Sequence, residues 1–217
     1  MDYARARANM VANQLRPNRI SEPRLLAAMG EVPRERFVPK ALRGVAYADE
    51  DLPLPGGGFL IEPLALARIL EAAEIQPHEV VLVVGCTTGY TAAVVAHLAA
   101  TVILLQSDAD AVARVESLLD DLGIDNVVVV KNDDPTAGHP DQAPYDVILL
   151  MGAVDEVPPA LLEQIGEGGR LVAVVEEDRV GKITVFARLH GVIGRRVAGD
   201  VQIPRLPGLA QKVEFAF

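Results

Sequence analysis

The stretch Val80-Val-Leu-Val-Val-Gly-Cys-Thr-Thr-Gly-Tyr90 constrains the fold of this chain more than any other. An apolar run without alternation reads as a strand buried on both faces, which is the habit of parallel sheets. The run breaks at Gly85, and Thr91 to Leu98 resumes with a helix-like pattern. A strand, a glycine turn and a helix in that order aim backbone amides at a ligand, a common way to hold a nucleotide-like molecule. Sites that grip a ribose usually add an acid near this turn and another after the next strand. Val83 and Gln106 stand at those two places.

The 217 residues fit one domain with a large core, and half of them are hydrophobic. A formal charge of −10 disfavours a phosphate backbone as partner, so nucleic acid is not expected. The single cysteine, Cys86, rules out an internal disulfide and any multi-cysteine metal site, and suits a reducing cytoplasm. At its turn it reads as a small packed residue rather than a reactive thiol. The start Met1-Asp-Tyr-Ala-Arg-Ala-Arg lacks the pattern of a leader, so export is not expected. Val80 to Leu105 carries no Asp, Glu, Lys or Arg, yet Gly85, Gly89 and His97 interrupt it, and it reads as strand, turn and helix rather than a membrane span. His78, His97, His139 and His190 lie on separate segments without ligand spacing, and no metal is expected.

Along the chain, a first helix carrying Met10, Val11 and Leu15 is expected to end before Pro17, and a second to start after Ser21 as its cap and stop at Pro33. Val32 to Pro39 reads as a turn and short extended piece, and Leu52 to Gly58 as a loop or glycine-rich hairpin. Helices are then expected at Pro63–Ala73, Tyr90–Leu98 and Asp110–Leu122, with Gly123 as the cap of the last. Strands are expected at Val80–Val84, Val102–Leu105, Val127–Val130 and Val147–Leu150, the third buried on both faces. A short helix at Pro159–Ile165 closes at Gly168-Gly169, and strands follow at Arg170–Val175, Lys182–Leu189 and Gln211–Phe217. This alternation predicts a mostly parallel twisted sheet with helices on both faces and antiparallel C-terminal strands. One domain spans 1–217: a helical preface and loop at 1–60, a core at 61–175 and the last strands at 176–217.

Met10-Val, Gln14-Leu, Ala28-Met29, Val32-Pro-Arg-Glu, Phe37-Val-Pro39, Ala46-Tyr47 and Leu52-Pro53 resemble, in order and spacing, the N-terminal region of protein-L-isoaspartate O-methyltransferases. The likeness continues through Val81-Leu-x-x-Gly-x-x-x-Gly-Tyr90, Leu122-Gly-x-x-Asn-Val127, Ala143-Pro-Tyr-Asp146, Val157-Pro158 and Gly168-Gly-Arg-Leu-Val172. It implies a Rossmann-like fold that uses S-adenosylmethionine (SAM) to esterify the carboxylate of isoaspartyl residues in proteins, a repair reaction. It also implies a cofactor site at Gly85, Cys86, Gly89, Gln106 and Asp133, and a substrate loop at Gly58, Phe59, Leu60 and Ile61.

The chain departs from that pattern at its working positions. Val83 replaces the acid of the first cofactor motif and Thr87 its middle glycine, while Gln106 replaces the acid for the ribose hydroxyls, with Asp108 two residues on. Of the later Gly-Asp-Gly, only the acid remains, within Asn132-Asp133-Asp134, a composition that also makes a turn. The substrate loop's hydroxyl position is Ile61, which leaves no confident catalytic residue. Weak hold on SAM is therefore expected, in a chain that works as a monomer. Two readings of the residues stay open beside family activity: a non-catalytic binding protein on the same fold, or a methyltransferase with a more apolar acceptor.

Overall fold

The structure, a computed structural model, describes residues 2–55 and 57–207. Helix α1, Tyr3–Met10, is capped by the Asp2 carboxylate, which accepts from Arg5 N–H at 3.0 Å. The helical path does not end before Pro17, as expected, but tightens and loosens through a π turn at Val11–Leu15 and a 3-10 turn at Arg16–Asn18. Pro17 sits near the start of that last turn, where a missing N–H costs nothing. Helix α2, Pro23–Glu31, is not capped by Ser21. The Glu71 carboxylate instead accepts from Ser21 N–H (2.7 Å) and Glu22 N–H (3.2 Å), pinning α2 to the helix that carries Glu71. Val32 to Pro39 forms the expected turn and short extended piece, with a 3-10 turn at Arg34–Phe37 and an extended Val38 after it.

Leu52–Pro53 (β1) pairs antiparallel with Phe59–Leu60 (β2), forming the expected glycine-rich hairpin. Helix α3, Pro63–Ala73, leads to β3, Val80–Val84, both at the expected bounds. Helix α4 (Tyr90–Ala96), β4 (Thr101–Gln106), α5 (Ala109–Asp121), β5 (Val127–Lys131), β6 (Tyr145–Val154), α6 (Pro159–Glu163), β7 (Ile165–Glu177), β8 (Val180–Leu189) and β9 (Val192–Asp200) follow. One seven-stranded sheet runs in the order β5-β4-β3-β6-β7-β8-β9, parallel from β5 to β7, with β8 antiparallel to both its neighbours.

The unbroken valine and leucine runs load both faces. Val81, Val83, Leu104, Leu149 and Val172 point into one core with α3, α4, α5 and the N-terminal preface. Leu82, Val84, Leu105, Leu150 and Leu171 point into the other. Helices lie on both faces but share them unevenly: the second core is covered by the five-residue α6 and irregular chain. Two further corrections concern the sheet's ends. β5 is an edge strand rather than a buried one, with Val128 53% exposed, because no strand lies beyond it. Gly168 and Gly169 lie inside β7 rather than closing a helix, which ends at Glu163.

The expected strand at 211–217 lies outside the described residues, and the strand that follows β8 is β9. After β9 the chain turns back across the carboxyl ends of the strands. Val201 N–H donates to Gly181 O, Ala153 N–H to Pro204 O and Leu206 N–H to Ala153 O, each at 2.9 Å. No helix among the described residues is long and apolar enough to cross a membrane.

Candidate functional site

The chain order reverses between β3 and β6: from β3 it builds outward through β4 and β5, then returns to add β6 and β7 on the other side. Ligands of open α/β sheets bind in the crevice that this reversal leaves at the strands' carboxyl ends. Gly85 lies at that point, with φ +86°, and Gly89 caps α4 with φ +84°. Both conformations are left-handed and favour glycine. Gly89 has a packing reason as well, because a Cβ there would lie 2.7 Å from Val115 of α5.

Gln106 ends β4 at 4% exposure. Its Nε2 donates to Cys86 O at 2.8 Å and its own carbonyl accepts from Asn132 N–H at 2.7 Å. It thus ties the glycine turn to the turn after β5, rather than presenting a free amide to a ligand. Asp108 is engaged too, as the cap of α5, accepting from Ala111 N–H at 2.7 Å. Cys86 is buried, 4.0 Å from Thr88 Oγ1, as a packed residue. Asp133 is exposed and pairs with Lys131 at 3.2 Å, outside the cleft. Asn132 takes its place in the lining, with its Oδ1 accepting from Asp134 N–H in a tight turn.

The cleft between these turns has a volume of about 150 Å³, bounded by Gly85, Cys86, Gln106, Asn132, Leu206 and Pro207 among others. The last two were invisible to motif reasoning. Leu206 is 3% exposed, and a side chain at Gly85 would collide with its Cδ1. The only hint in the sequence is that Pro204 and Pro207 bracket Arg205-Leu206 and favour an extended chain there.

The hairpin brings Gly58, Phe59, Leu60 and Ile61 against the glycine turn. Thr87 Oγ1 donates to Phe59 O at 3.3 Å, and a Cβ on Gly58 would lie 2.8 Å from Thr87. Between Phe59, Leu60, Ile61, Gly85, Cys86, Thr88, Thr91 and Met151 there remains about 10 Å³. That is barely the space of one water molecule.

Arg34 fixes the hairpin from beneath. Fully buried, it donates from Nε to Ala46 O (2.6 Å) and from Nη2 to Ile61 O (2.5 Å), and stacks 4.9 Å from the Tyr90 ring. Burial pulls its pKa down from the usual guanidinium value. Phe37 meets the same ring edge-on at 5.4 Å. Asp51 accepts from Glu62 N–H at 2.9 Å at the start of α3, and burial raises both carboxyls above their ordinary range.

A parallel sheet with a glycine turn at its switch point, antiparallel C-terminal strands and a helical preface defines the Rossmann-like fold of SAM-dependent methyltransferases. Solved structures agree: a protein-L-isoaspartate O-methyltransferase aligns at TM-score 0.81 and 25% identity over 94% of this chain and 67% of its own. A Plasmodium falciparum protein described as a putative member in complex with S-adenosyl-L-homocysteine shares the fold, at TM-score 0.78 and 19% identity over 92% of this chain and 97% of its own. The model of the protein-L-isoaspartate(D-aspartate) O-methyltransferase family matches residues 6–204. The protein-L-isoaspartate O-methyltransferase of Koribacter versatilis is 40% identical over 206 residues, 95% of this chain and 92% of that one. That of Methanoculleus marisnigri is 42% identical over 171 residues, 79% of this chain and 77% of that one. The chain belongs to the protein-L-isoaspartate(D-aspartate) O-methyltransferase family.

Proposed function

We propose that this cleft serves its family's reaction, transfer of a methyl group from SAM to the carboxylate of an isoaspartyl residue in a protein, at low rate and with weak hold on the cofactor. The observation that carries the reading is the contact of Thr87 with Phe59, which joins the glycine turn to the acceptor hairpin at the sheet's switch point. Gly85, Cys86, Gly89, Gln106 and Asn132 form the cofactor side; Asp133 points elsewhere. Gly58, Phe59, Leu60 and Ile61 form the acceptor side. The preface at 1–60, the core at 61–175 and the strands from 176 on act as one unit, a monomer. The lone buried Cys86 supports a reducing, cytoplasmic setting.

Ser107 and the Gln106 Oε1 that the bond to Cys86 leaves unused suit a nucleoside. The space does not: about 150 Å³ falls short of the roughly 300 Å³ at which small-molecule sites begin. An isoaspartyl carboxylate fares worse, since Phe59, Leu60 and Ile61 carry no side-chain donors and an anion placed there loses water without replacement. A second reading, a binding protein that keeps the fold without the reaction, draws on Leu206 filling the cleft. A third, a more apolar acceptor, draws on the lining of Phe59, Ile61 and Met151.

A methylation assay on an isoaspartyl peptide separates them. The expected result is measurable but slow ester formation, below about 1 per minute against the more usual 1 per second or faster. Turnover at ordinary enzymatic rates contradicts the slow-rate reading, and no ester at all at millimolar SAM favours the binding protein.

A further inference from the structure

Residues 201–207 lie across the crevice like a strap. The bridge between Ala153 and Arg205 pairs the strap in parallel with the last part of β6, beyond the end of β3, and two 2.9 Å backbone bonds, Ala153 N–H to Pro204 O and Leu206 N–H to Ala153 O, hold it. Leu206 reaches down from this strap onto Gly85 and Gly152; a Cβ on Gly152 would lie 2.7 Å from Leu206 Cβ. It is buried in the same core as Leu82, Val84 and Leu150, so the strap completes the apolar surface at the strand ends. Arg205, beside it, faces the other way. Its guanidinium grips Asp155 through two bonds of 2.8 and 2.9 Å and reaches Glu176 at 3.0 Å. Asp155 follows the end of β6 and Glu176 lies at the end of β7, so both anchors stand on the rim of the crevice.

We infer that Arg205 is a positioning residue that sets cofactor affinity from outside the cleft: its ion pairs with Asp155 and Glu176 keep the strap seated and Leu206 in the space that SAM needs. The strap must lift, or Leu206 must swing away, before a nucleoside fits. This inference rests on the SAM reading above. The anchoring groups are at the surface, so salt weakens their hold while leaving the apolar seat of Leu206 intact. The device therefore adds an ionic-strength dependence of unusual sign, with cofactor binding improving as salt rises.

The test uses S-adenosylhomocysteine, the uncharged-sulfur product, in calorimetric titrations of the whole protein and of Arg205→Ala and Leu206→Ala. Hydrogen exchange at the Leu206 amide, read with and without ligand, reports the strap directly. Arg205→Ala should bind about threefold tighter, the scale of an exposed ion-pair network, and Leu206→Ala at least as much. Added salt should tighten binding to the wild type and leave Arg205→Ala unmoved. Ligand should speed exchange at Leu206 in the wild type. Equal or weaker binding by both variants, or binding with unchanged exchange at Leu206, overturns the strap. Absence of binding in all three proteins, with exchange in Arg205→Ala showing the strap already open, overturns the SAM reading along with it.

Discussion

Gln106 shows how one residue can stand where the family resemblance expects a ligand contact and yet serve the fold. Its amide closes on Cys86 O and its carbonyl on Asn132 N–H, so the two turns that frame the cleft are joined through it. Gln106→Ala leaves Cys86 O buried and unpaired, and should lower stability by about 1–3 kcal/mol in a thermal melt, although the sequence alone suggests a free cleft residue. Gln106→Glu should lose similar stability, because a carboxylate cannot donate to Cys86 O, while strengthening any hold on ribose hydroxyls. A melt unchanged in Gln106→Ala would show that the amide is not a tie. The sequence made the chemical character of positions 83, 106 and 61 plain. It hid Asp108's role as a cap and Asp133's outward turn, since both depend on which way a loop faces.

At the scale of elements, composition foretold more than position. Four valines in a row at Val127–Val130 look like a central strand, but apolar content alone does not say which neighbours a strand will have. β5 ended up at the edge, with Val129 half-buried, whereas Leu104 is sealed between β3 and β5. Leu104→Asp should therefore unfold the protein, since an unpaired buried carboxylate costs several kcal/mol against a total of about 5–15. Val129→Asp should lower the melting temperature without abolishing the transition. Equal damage from the two would place β5 deeper than described. The α3–β3 junction was legible to the residue because Pro63 opens the helix and five uninterrupted apolar residues mark the strand. β9 was not, since its residues are nearly all exposed and its pairing with β8 leaves no apolar period to read. The strap at 201–207 has no regular period either; only the folded crevice gives it meaning.

For the whole molecule, the end of the sheet opposite the cleft is clasped by one ion pair. Arg170 of β7 holds both oxygens of Glu79 at 2.8 and 2.9 Å and also donates to the carbonyls of Ala73 and Glu74, joining β7, α3 and the start of β3. Burial alone would raise the Glu79 carboxyl, but the bonds from Arg170 and from Gln76 N–H outweigh it and hold the pKa below its usual value. A lowered folded pKa means stability that is complete above the unfolded carboxyl value, about 4.3, and lost as pH falls through the folded one. Glu79→Gln should be less stable near neutrality by about 3 kcal/mol and should lose less on acidification than the wild type, as followed by chemical denaturation from pH 7 to 3. Identical slopes would remove Glu79 from the acid response.

The central claim, that this family fold carries a cleft with a weakened hold on SAM, meets its most direct test in a calorimetric titration of the unmodified protein with SAM beside a family member that has acids at both ribose-side positions. Loss of the charge-assisted hydrogen bond is worth roughly 1.5 kcal/mol or more, so binding should be at least about tenfold weaker than in that relative. Affinity in the low micromolar range or tighter, equal to the relative's, would contradict it.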